Sequence, residues 1–173
     1  MQRFTTPPPL TYTLCFLTRG DDILMLLRDN PPNAGLWNGV GGRIDQGETP
    51  YESCLREVHE ETGYRLTGAC FGGILTWEGF EVPTGGLYIF TAPAPPGSPA
   101  PIDNEGRLAW KPRPWVCRAP EVVSNIHHFL PPVLAGKPPR QYHFSYRDGR
   151  IQRHEVRPLP EVVKQPLPDS GPR

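Results

Sequence analysis

Three glutamates near the middle of the chain are the residues best placed to do chemistry. Glu57, Glu60 and Glu61 stand at positions i, i+3 and i+4, so a helix would bring all three carboxylates onto one face. Carboxylates this close repel one another unless a cation compensates them, and hard divalent ions prefer oxygen ligands. The pattern predicts a Mg²⁺ site, although an acidic helix face in contact with water is the ordinary alternative.

A glycine-rich loop, Gly41-Gly-Arg-Ile-Asp-Gln-Gly-Glu48, comes directly before these glutamates. Because glycine has no side chain, it lets a backbone carbonyl come close to a bound ion. The stretch 41–64 carries six acidic residues against two arginines, Arg43 and Arg56, so it needs cations. The loop and the acidic segment together favour the metal site over a solvated acidic face.

The acidic segment carries the signals of a helix with defined ends. Thr49 and Glu52 have the spacing of a capping box, Pro50 takes the first helical position and Gly63 supplies the stop. These signals predict a helix over 50–62.

The other predicted elements are mainly β-strands. Alternating apolar and β-branched residues bounded by Gly and Pro clusters predict strands, and apolar residues at helical spacing predict a second helix that contains two prolines. A proline-rich stretch is predicted to be an exposed, extended loop. In chain order these are strands at 10–18, 23–28, 65–77 and 87–92, the loop 92–101, an edge strand at 107–116, the helix within 124–135, and a hairpin at 140–156 that turns at Asp148-Gly149.

Length and composition limit the classes of protein and partner. The chain has 173 residues, enough for one domain, and its 18 Lys and Arg balance 18 Asp and Glu, so no overall charge recommends DNA, RNA or a membrane as a partner. No apolar run approaches a membrane span, no leader is evident, and the cysteine spacing suggests neither zinc nor disulfides. We expect a cytoplasmic monomer with a flexible segment at 1–9, a folded domain at 10–157 and a disordered tail at 158–173.

Gly42, Glu48 and Arg56-Glu57-Val58-His59-Glu60-Glu61-Thr62-Gly63 have the spacing of a known signature. The chain resembles the Nudix family at every fixed position of its Nudix box, with Tyr64 standing where the family usually has an aliphatic residue. The resemblance implies an α/β fold, an α/β/α sandwich with a mixed β-sheet between helices. It also implies cleavage of a nucleoside diphosphate linked to another group, with Mg²⁺ or Mn²⁺.

The resemblance assigns roles within the box. The metal ligands it implies are Gly42 through its carbonyl, Glu57, Glu60 and Glu61. Arg56 resembles the residue that orients the glutamates, and Glu48 resembles a structural partner. Attack by water also needs a proton acceptor. Glu57 is the preferred candidate, and Glu105, which matches in order a later glutamate of related enzymes, is the alternative.

Beyond the box, a weaker similarity over about 11–157 is to the MutT-like oxidised purine nucleoside triphosphatases. It implies a nucleotide pocket lined by Thr13, Arg28, Asn38, Trp77 and Asn125. An amide suits a base edge, an aromatic ring stacks on a purine, and arginine meets phosphate. Trp77 as a core aromatic and Asn38 as a turn residue are the alternatives. Asn125 and Ile126 stand where the mammalian-type enzyme has paired aspartates, which leaves selectivity for an oxidised guanine open.

The expected activity is Mg²⁺-dependent cleavage of a nucleoside triphosphate, an oxidised or other purine nucleotide resembling 8-oxo-dGTP, to a monophosphate and pyrophosphate. Two alternatives stay open. One is hydrolysis of a dinucleotide, a nucleotide sugar or capped RNA, and the other is a module that binds nucleotide or RNA without catalysis. The expected partner is the nucleotide substrate, with no membrane and no stable nucleic-acid partner.

Overall fold

An eight-stranded sheet with helices on both faces makes up the structure, a computed structural model that describes residues 7–163. The elements in chain order are β1 (Leu10–Arg19), β2 (Asp22–Arg28), β3 (Trp37–Asn38), α1 (Pro50–Thr62), β4 (Cys70–Glu78), β5 (Gly85–Pro93), β6 (Gly106–Pro112), α2 (Arg113–Val116), α3 (Ile126–Leu134), β7 (Arg140–Arg147) and β8 (Arg150–Arg157).

The sheet is mixed, as expected. Strand β1 lies parallel to β5 and β4 lies parallel to β7, while the other pairs are antiparallel. Within the described part of the chain, β6 pairs with β2 alone and β8 with β7 alone, so these two form edges. The prediction of an edge strand near 107 is confirmed.

Alternating side chains along the central strands build one core on each face of the sheet. In β1, Phe16 packs in the core that contains Phe129 of α3, whereas Leu17 packs in the core that contains Val58 of α1. All four are fully buried, and burying such a side chain stabilises the fold by about 1.5–3 kcal/mol. The sheet therefore lies between helices, which confirms the predicted α/β/α sandwich.

The glycine-rich loop is inserted between β1 and β2. Leu27 of β2 pairs with Trp37 of β3, and beyond it Val40 forms a bridge to Cys15 of β1. The N–H of Thr13 donates to the Gly42 carbonyl over 2.9 Å. Backbone contacts to both strands thus fix the loop that leads into α1.

Helix α1 has the predicted bounds and caps. The Thr49 side chain accepts from the N–H of Glu52, and the Glu52 carboxylate accepts from the N–H of Thr49. Gly63 ends the helix with φ 77°, a left-handed conformation that favours glycine. A Cβ at Gly63 would also lie 2.1 Å from the carbonyl oxygen of Ala100, so both conformation and space require glycine there.

The proline-rich loop 92–101 is largely exposed, as predicted, and the chain is also bonded to α1 where the loop ends. The N–H groups of Ile102 and Asp103 both donate to the Glu60 carbonyl, over 2.9 Å each. Nη2 of Arg19 donates to the Pro95 carbonyl, and the Tyr64 hydroxyl donates to the Gly97 carbonyl over 2.6 Å. The last carbonyls of a helix need donors, and this loop supplies them.

Tyr64, the residue that departs from the family pattern, is expected to hold this loop. Tyr64→Phe removes the hydroxyl that donates to Gly97 and should lower the free energy of unfolding by about 1 kcal/mol. Tyr88→Phe is the matched control, because the Tyr88 hydroxyl has no hydrogen bond within residues 7–163. Urea unfolding of both variants measures the difference, and equal stabilities would contradict this role of Tyr64.

Two predicted strands have different bounds in the structure. The strand predicted over 65–77 begins at Cys70, because residues 65–69 connect α1 to the sheet. The strand predicted over 107–116 ends at Pro112, where the short helix α2 begins with Pro114 in its first turn. Proline cannot donate in a strand ladder but fits the first turn of a helix, which explains the change.

The second helix and the closing hairpin are confirmed. Helix α3 contains both Pro131 and Pro132 and buries one apolar face against the sheet. Asp148 and Gly149 have φ of 50° and 73°, the left-handed pair that a two-residue hairpin turn requires.

The segments predicted at the two ends are described only in part. Residues 1–6 and 164–173 lie outside the described residues. Glu161–Val163 form one 3-10 turn and the Val163 side chain is buried. The first residues of the predicted tail thus include one short helical turn, and the disorder predicted for the tail stays a prediction.

Candidate active site

Arg56 is the centre of an ion-pair network. Its Nε lies 2.7 Å from Oε1 of Glu48, and its Nη1 lies 2.9 Å from Oε1 of Glu57 and 3.1 Å from Oε2 of Glu60. Nη2 also donates to the Arg43 carbonyl over 3.0 Å. Hydrogen bonding to Arg56 lowers the pKa of Glu48. The guanidinium thus ties α1 to the glycine-rich loop and fixes two of the three predicted ligands.

The third glutamate has a different partner. Glu61 is only 4% exposed, and one carboxylate oxygen accepts from the N–H of Gly41 over 2.7 Å. Burial raises the pKa of Glu61 to about 8, and the negative charges of Glu57 and Glu105 act in the same direction. Burial also raises the pKa of Glu57. These carboxylates are therefore poorly compensated by the protein itself.

The glycine at position 42 leaves space for the Glu57 carboxylate. A Cβ at Gly42 would lie 2.4 Å from Oε1 of Glu57, a distance that real contacts do not allow. The Gly42 carbonyl accepts one hydrogen bond from Thr13 and keeps a second lone pair.

The donor set fits Mg²⁺. Among residues 7–163, no three His, Cys, Asp or Glu side chains are grouped closely enough to bind a metal ion in their present positions. Arg56 pairs with Glu57 and Glu60, and Glu61 accepts a hydrogen bond from Gly41. All the groups present are nevertheless oxygen donors, which suit a hard divalent cation. Glu61 is a buried carboxylate with a raised pKa, and the charge of Glu57 contributes to that shift. A cation bound here would therefore stabilise the charged forms of both carboxylates. Glu57, Glu60, Glu61 and the Gly42 carbonyl would hold the ion.

A cavity of about 420 Å³ opens beside these glutamates, a volume suited to a small molecule. It is lined by Gly42, Glu57, Glu61 and Glu105, but not by Arg56 or Glu60. The five side chains expected to bind nucleotide all line it: Thr13, Arg28, Asn38, Trp77 and Asn125. Arg56 contacts the glutamates from outside the cavity, which agrees with the orienting role that the resemblance implies for it.

Several of these side chains also make structural contacts. Trp77 is 8% exposed and its Nε1 donates to the Pro83 carbonyl, so it is a core residue with one face on the cavity. Oδ1 of Asn38 accepts from the N–H of Gly39 over 2.8 Å, which leaves the amide N–H groups for a ligand. Trp77 is therefore a core aromatic, Asn38 lies in strand β3 rather than in a turn, and the nucleotide-binding role of both residues stays a prediction.

Two polar groups in the cavity wall have unused hydrogen-bonding capacity. The Thr13 hydroxyl is buried without a partner in the described residues. Arg28 uses Nε to donate to the Pro32 carbonyl, and its two Nη groups have no hydrogen bond within residues 7–163. A bound ligand would satisfy groups of this kind.

Two aromatic residues also line the cavity, Phe80 and Tyr146. Their place there was not predicted from the sequence. Their rings lie 4.9 Å apart between centroids, and they come together because β4 and β7 pair in parallel. Only the position of Tyr146 beside the Asp148-Gly149 turn could have drawn attention to it.

The three residues that follow Asn125 do not line the cavity: Ile126, His127 and His128. Ile126 is fully buried in the core. His127 and His128 contact Ala119 and His154 respectively, so neither reaches a ligand in the cavity. His59 is half-buried, and its Nδ1 is buried without a partner in the described residues.

Arg56→Lys should lower kcat about 10-fold. An ammonium is a point charge and cannot bridge Glu48 on one side and Glu57 with Glu60 on the other, so the glutamates would lose their fixed positions. Steady-state kinetics measures the effect, with Arg65→Lys on the exposed surface as the control. A kcat equal to that of the parent would show that Arg56 does not position these carboxylates.

A scan against family models matches the NUDIX domain over residues 8–131. The chain belongs to the Nudix family. The matched range covers the glycine-rich loop, α1 and all of the cavity lining except Tyr146 and Gly149, and it confirms the resemblance read from the box.

The Nudix relatives with known sequences or structures are distant. The oxidized purine nucleoside triphosphate hydrolase of Mus musculus is 28% identical over 79% of this chain and 86% of its own length. The uncharacterized Nudix hydrolase YvcI of Bacillus subtilis is 29% identical over 57% of this chain. The match covers 63% of the length of YvcI, less than two thirds. The crystal structure of a mutator MutT protein from Bacillus halodurans superposes with a TM-score of 0.72 at 26% identity, over 84% of this chain and 95% of that chain.

None of the helices in residues 7–163 is both long and apolar enough to cross a membrane.

Proposed function

We propose that this Nudix protein is a Mg²⁺-dependent hydrolase that cleaves a purine nucleoside triphosphate, oxidised or otherwise altered, to a nucleoside monophosphate and pyrophosphate. One observation carries the proposal. A single cavity is lined both by the carboxylates of the Nudix box and by side chains suited to a nucleoside. The name of the mouse relative agrees with this substrate class.

The cavity offers a different kind of contact to each part of such a substrate. Trp77 and Tyr12, whose rings are 6.4 Å apart between centroids, present aromatic faces on which a purine can stack. Asn38 offers N–H donors to the base edge, and the free Nη groups of Arg28 can meet a phosphate. Without a cation, the negative charge of the substrate would lie against the negative charges of Glu57 and Glu61. Binding of a triphosphate therefore requires a cation.

When bound by these oxygens, Mg²⁺ would supply positive charge that neutralises the phosphoanhydride and would lower the pKa of a bound water. Glu57 accepts the proton from the attacking water, because its carboxylate lines the cavity. The water oxygen forms a bond to phosphorus, the phosphoanhydride P–O bond breaks, and pyrophosphate leaves with the electron pair. Arg56 holds Glu57 in position during this step through its bond to Oε1.

Glu105 remains the alternative proton acceptor. It is exposed and lines the same cavity, and its charge contributes to the raised pKa of Glu61. The loop that carries it is bonded to the end of α1 through Ile102 and Asp103, so its backbone has a fixed position relative to Glu57 and Glu61.

Identification of the products formed from a panel of nucleotides tests the proposal, because a triphosphate gives a monophosphate and pyrophosphate whereas the other compounds are cleaved to nucleoside phosphates without pyrophosphate. The panel contains standard and oxidised purine and pyrimidine triphosphates, a dinucleotide, a nucleotide sugar and capped RNA, each with Mg²⁺ and with a chelator. We expect turnover of purine triphosphates that the chelator abolishes and added Mg²⁺ restores. Turnover of another compound alone would move the chain to that substrate class. Nucleotide binding with no hydrolysis of any compound would indicate a module without catalysis.

A further inference from the structure

Two neutral side chains of the cavity wall form a pair that the proposed hydrolysis does not use. Nδ2 of Asn125 donates to the hydroxyl oxygen of Tyr146 over 3.1 Å, and both residues line the cavity. Because the phenol oxygen already accepts a bond, its O–H hydrogen is free to donate elsewhere. Across residues 7–163 no other hydrogen bond involves either side chain.

The Tyr146 ring and backbone are also held in place by Phe80 and Gly79. It packs against Phe80, and a Cβ at Gly79 would lie 2.2 Å from the Tyr146 carbonyl, so the turn after β4 rests directly on its backbone. Burial raises the pKa of Tyr146, which keeps the phenol protonated at neutral pH. The hydroxyl is therefore a positioned hydrogen-bond donor.

The other polar groups nearby make this wall rich in donors. Oδ1 of Asn38 is already occupied by the N–H of Gly39, so the Asn38 side chain offers N–H groups alone. The buried Thr13 hydroxyl, 2% exposed, has a hydrogen without a partner in the described residues. These donors favour a ligand that presents acceptors, and a carbonyl oxygen with two lone pairs is the strongest neutral acceptor in a base. Oδ1 of Asn125 is left as an acceptor on this wall and can take an N–H of the same base.

We infer that Tyr146, held by Asn125, is a specificity-determining residue that donates a hydrogen bond to an oxo group of the purine. The inference rests on the proposed function and names the base class within it. An oxopurine presents a carbonyl oxygen where an aminopurine presents N–H groups, which cannot accept a bond from the phenol. The cavity should therefore prefer oxopurine nucleotides.

Calorimetric binding of the α,β-methylene analogues of dGTP and dATP tests this preference without hydrolysis. The parent should bind the dGTP analogue more tightly. Tyr146→Phe keeps the ring and removes the O–H, so it should weaken dGTP-analogue binding about 10-fold and dATP-analogue binding less than about twofold. Tyr142→Phe is the matched control, because Tyr142 lies on the same strand but is buried in the core.

Asn125→Leu tests the pairing itself. Leucine has a similar volume but no N–H, so the Tyr146 hydroxyl loses the bond that positions it. The ratio of the two affinities should fall as in Tyr146→Phe, and the double variant should lower it no further. Equal affinities in the parent, or equal losses for both analogues in Tyr146→Phe, would overturn the inference and leave the proposed hydrolysis standing. A parent that binds neither analogue in the presence of Mg²⁺ would overturn the inference, whereas the proposed hydrolysis is tested separately by the nucleotide panel.

Discussion

Glu57→Gln is expected to lower kcat at least about 100-fold while leaving the fold intact. Glutamine has nearly the same shape and still accepts one hydrogen bond from Arg56, but it has no negative charge for a divalent cation and cannot take a proton from water. Burial raises the pKa of Glu57, which means that the folded protein disfavours the charged form, so a neutral side chain costs little stability. Pyrophosphate release measures kcat, and thermal unfolding measures stability.

Glu121→Gln is the matched control for this change. Glu121 is exposed and outside the cavity, so the same loss of charge there should leave kcat unchanged. Turnover by Glu57→Gln within about threefold of the parent would remove Glu57 from both of its roles, as ligand and as proton acceptor.

Gly42→Ala is expected to separate activity from stability. The new Cβ would lie 2.4 Å from Oε1 of Glu57, and since the carboxylate is the end of a flexible side chain, it would move and the fold would persist. Because Glu57 is the proposed metal ligand and proton acceptor, displacing its carboxylate should lower kcat by about 10- to 100-fold. The melting temperature should change little.

Gly41→Ala provides the contrast. A Cβ at Gly41 would lie 2.0 Å from the backbone oxygen of Thr13, so the contact can be relieved only by moving β1 away from the loop. We expect this variant to lose about 1–3 kcal/mol of the free energy of unfolding. If Gly42→Ala were the less stable of the two, the loop would not have the geometry described for it.

The elements that the sequence predicted best are those with local signals. The capping box, Pro50 and Gly63 are close together in the chain and define α1 by themselves. The helical period likewise placed Glu57, Glu60 and Glu61 near one another. It could not show that Glu60 pairs with Arg56 outside the cavity while Glu57 and Glu61 line it, because that depends on the directions of side chains and on the loop opposite the helix.

The features that could not be predicted from the sequence depend on contacts between segments that are distant in the chain. Strand β3 forms because residues 37–38 fill the edge of β2 that β1 leaves free. The loop at 92–101 has the composition of an exposed segment, yet Arg19 and Tyr64 hold it through hydrogen bonds to its carbonyls. Tyr146 enters the cavity through the pairing of β4 with β7. Composition and periodicity carry no information on such pairings.

Anomalous diffraction from crystals soaked in Mn²⁺ with a non-hydrolysable nucleoside triphosphate tests the central claim most directly. The account predicts a metal peak coordinated by oxygens of α1, including Glu57, and by the triphosphate, with the base beside Trp77 and Asn38. A nucleotide bound elsewhere, or box glutamates that face solvent with no anomalous peak near them, would contradict it.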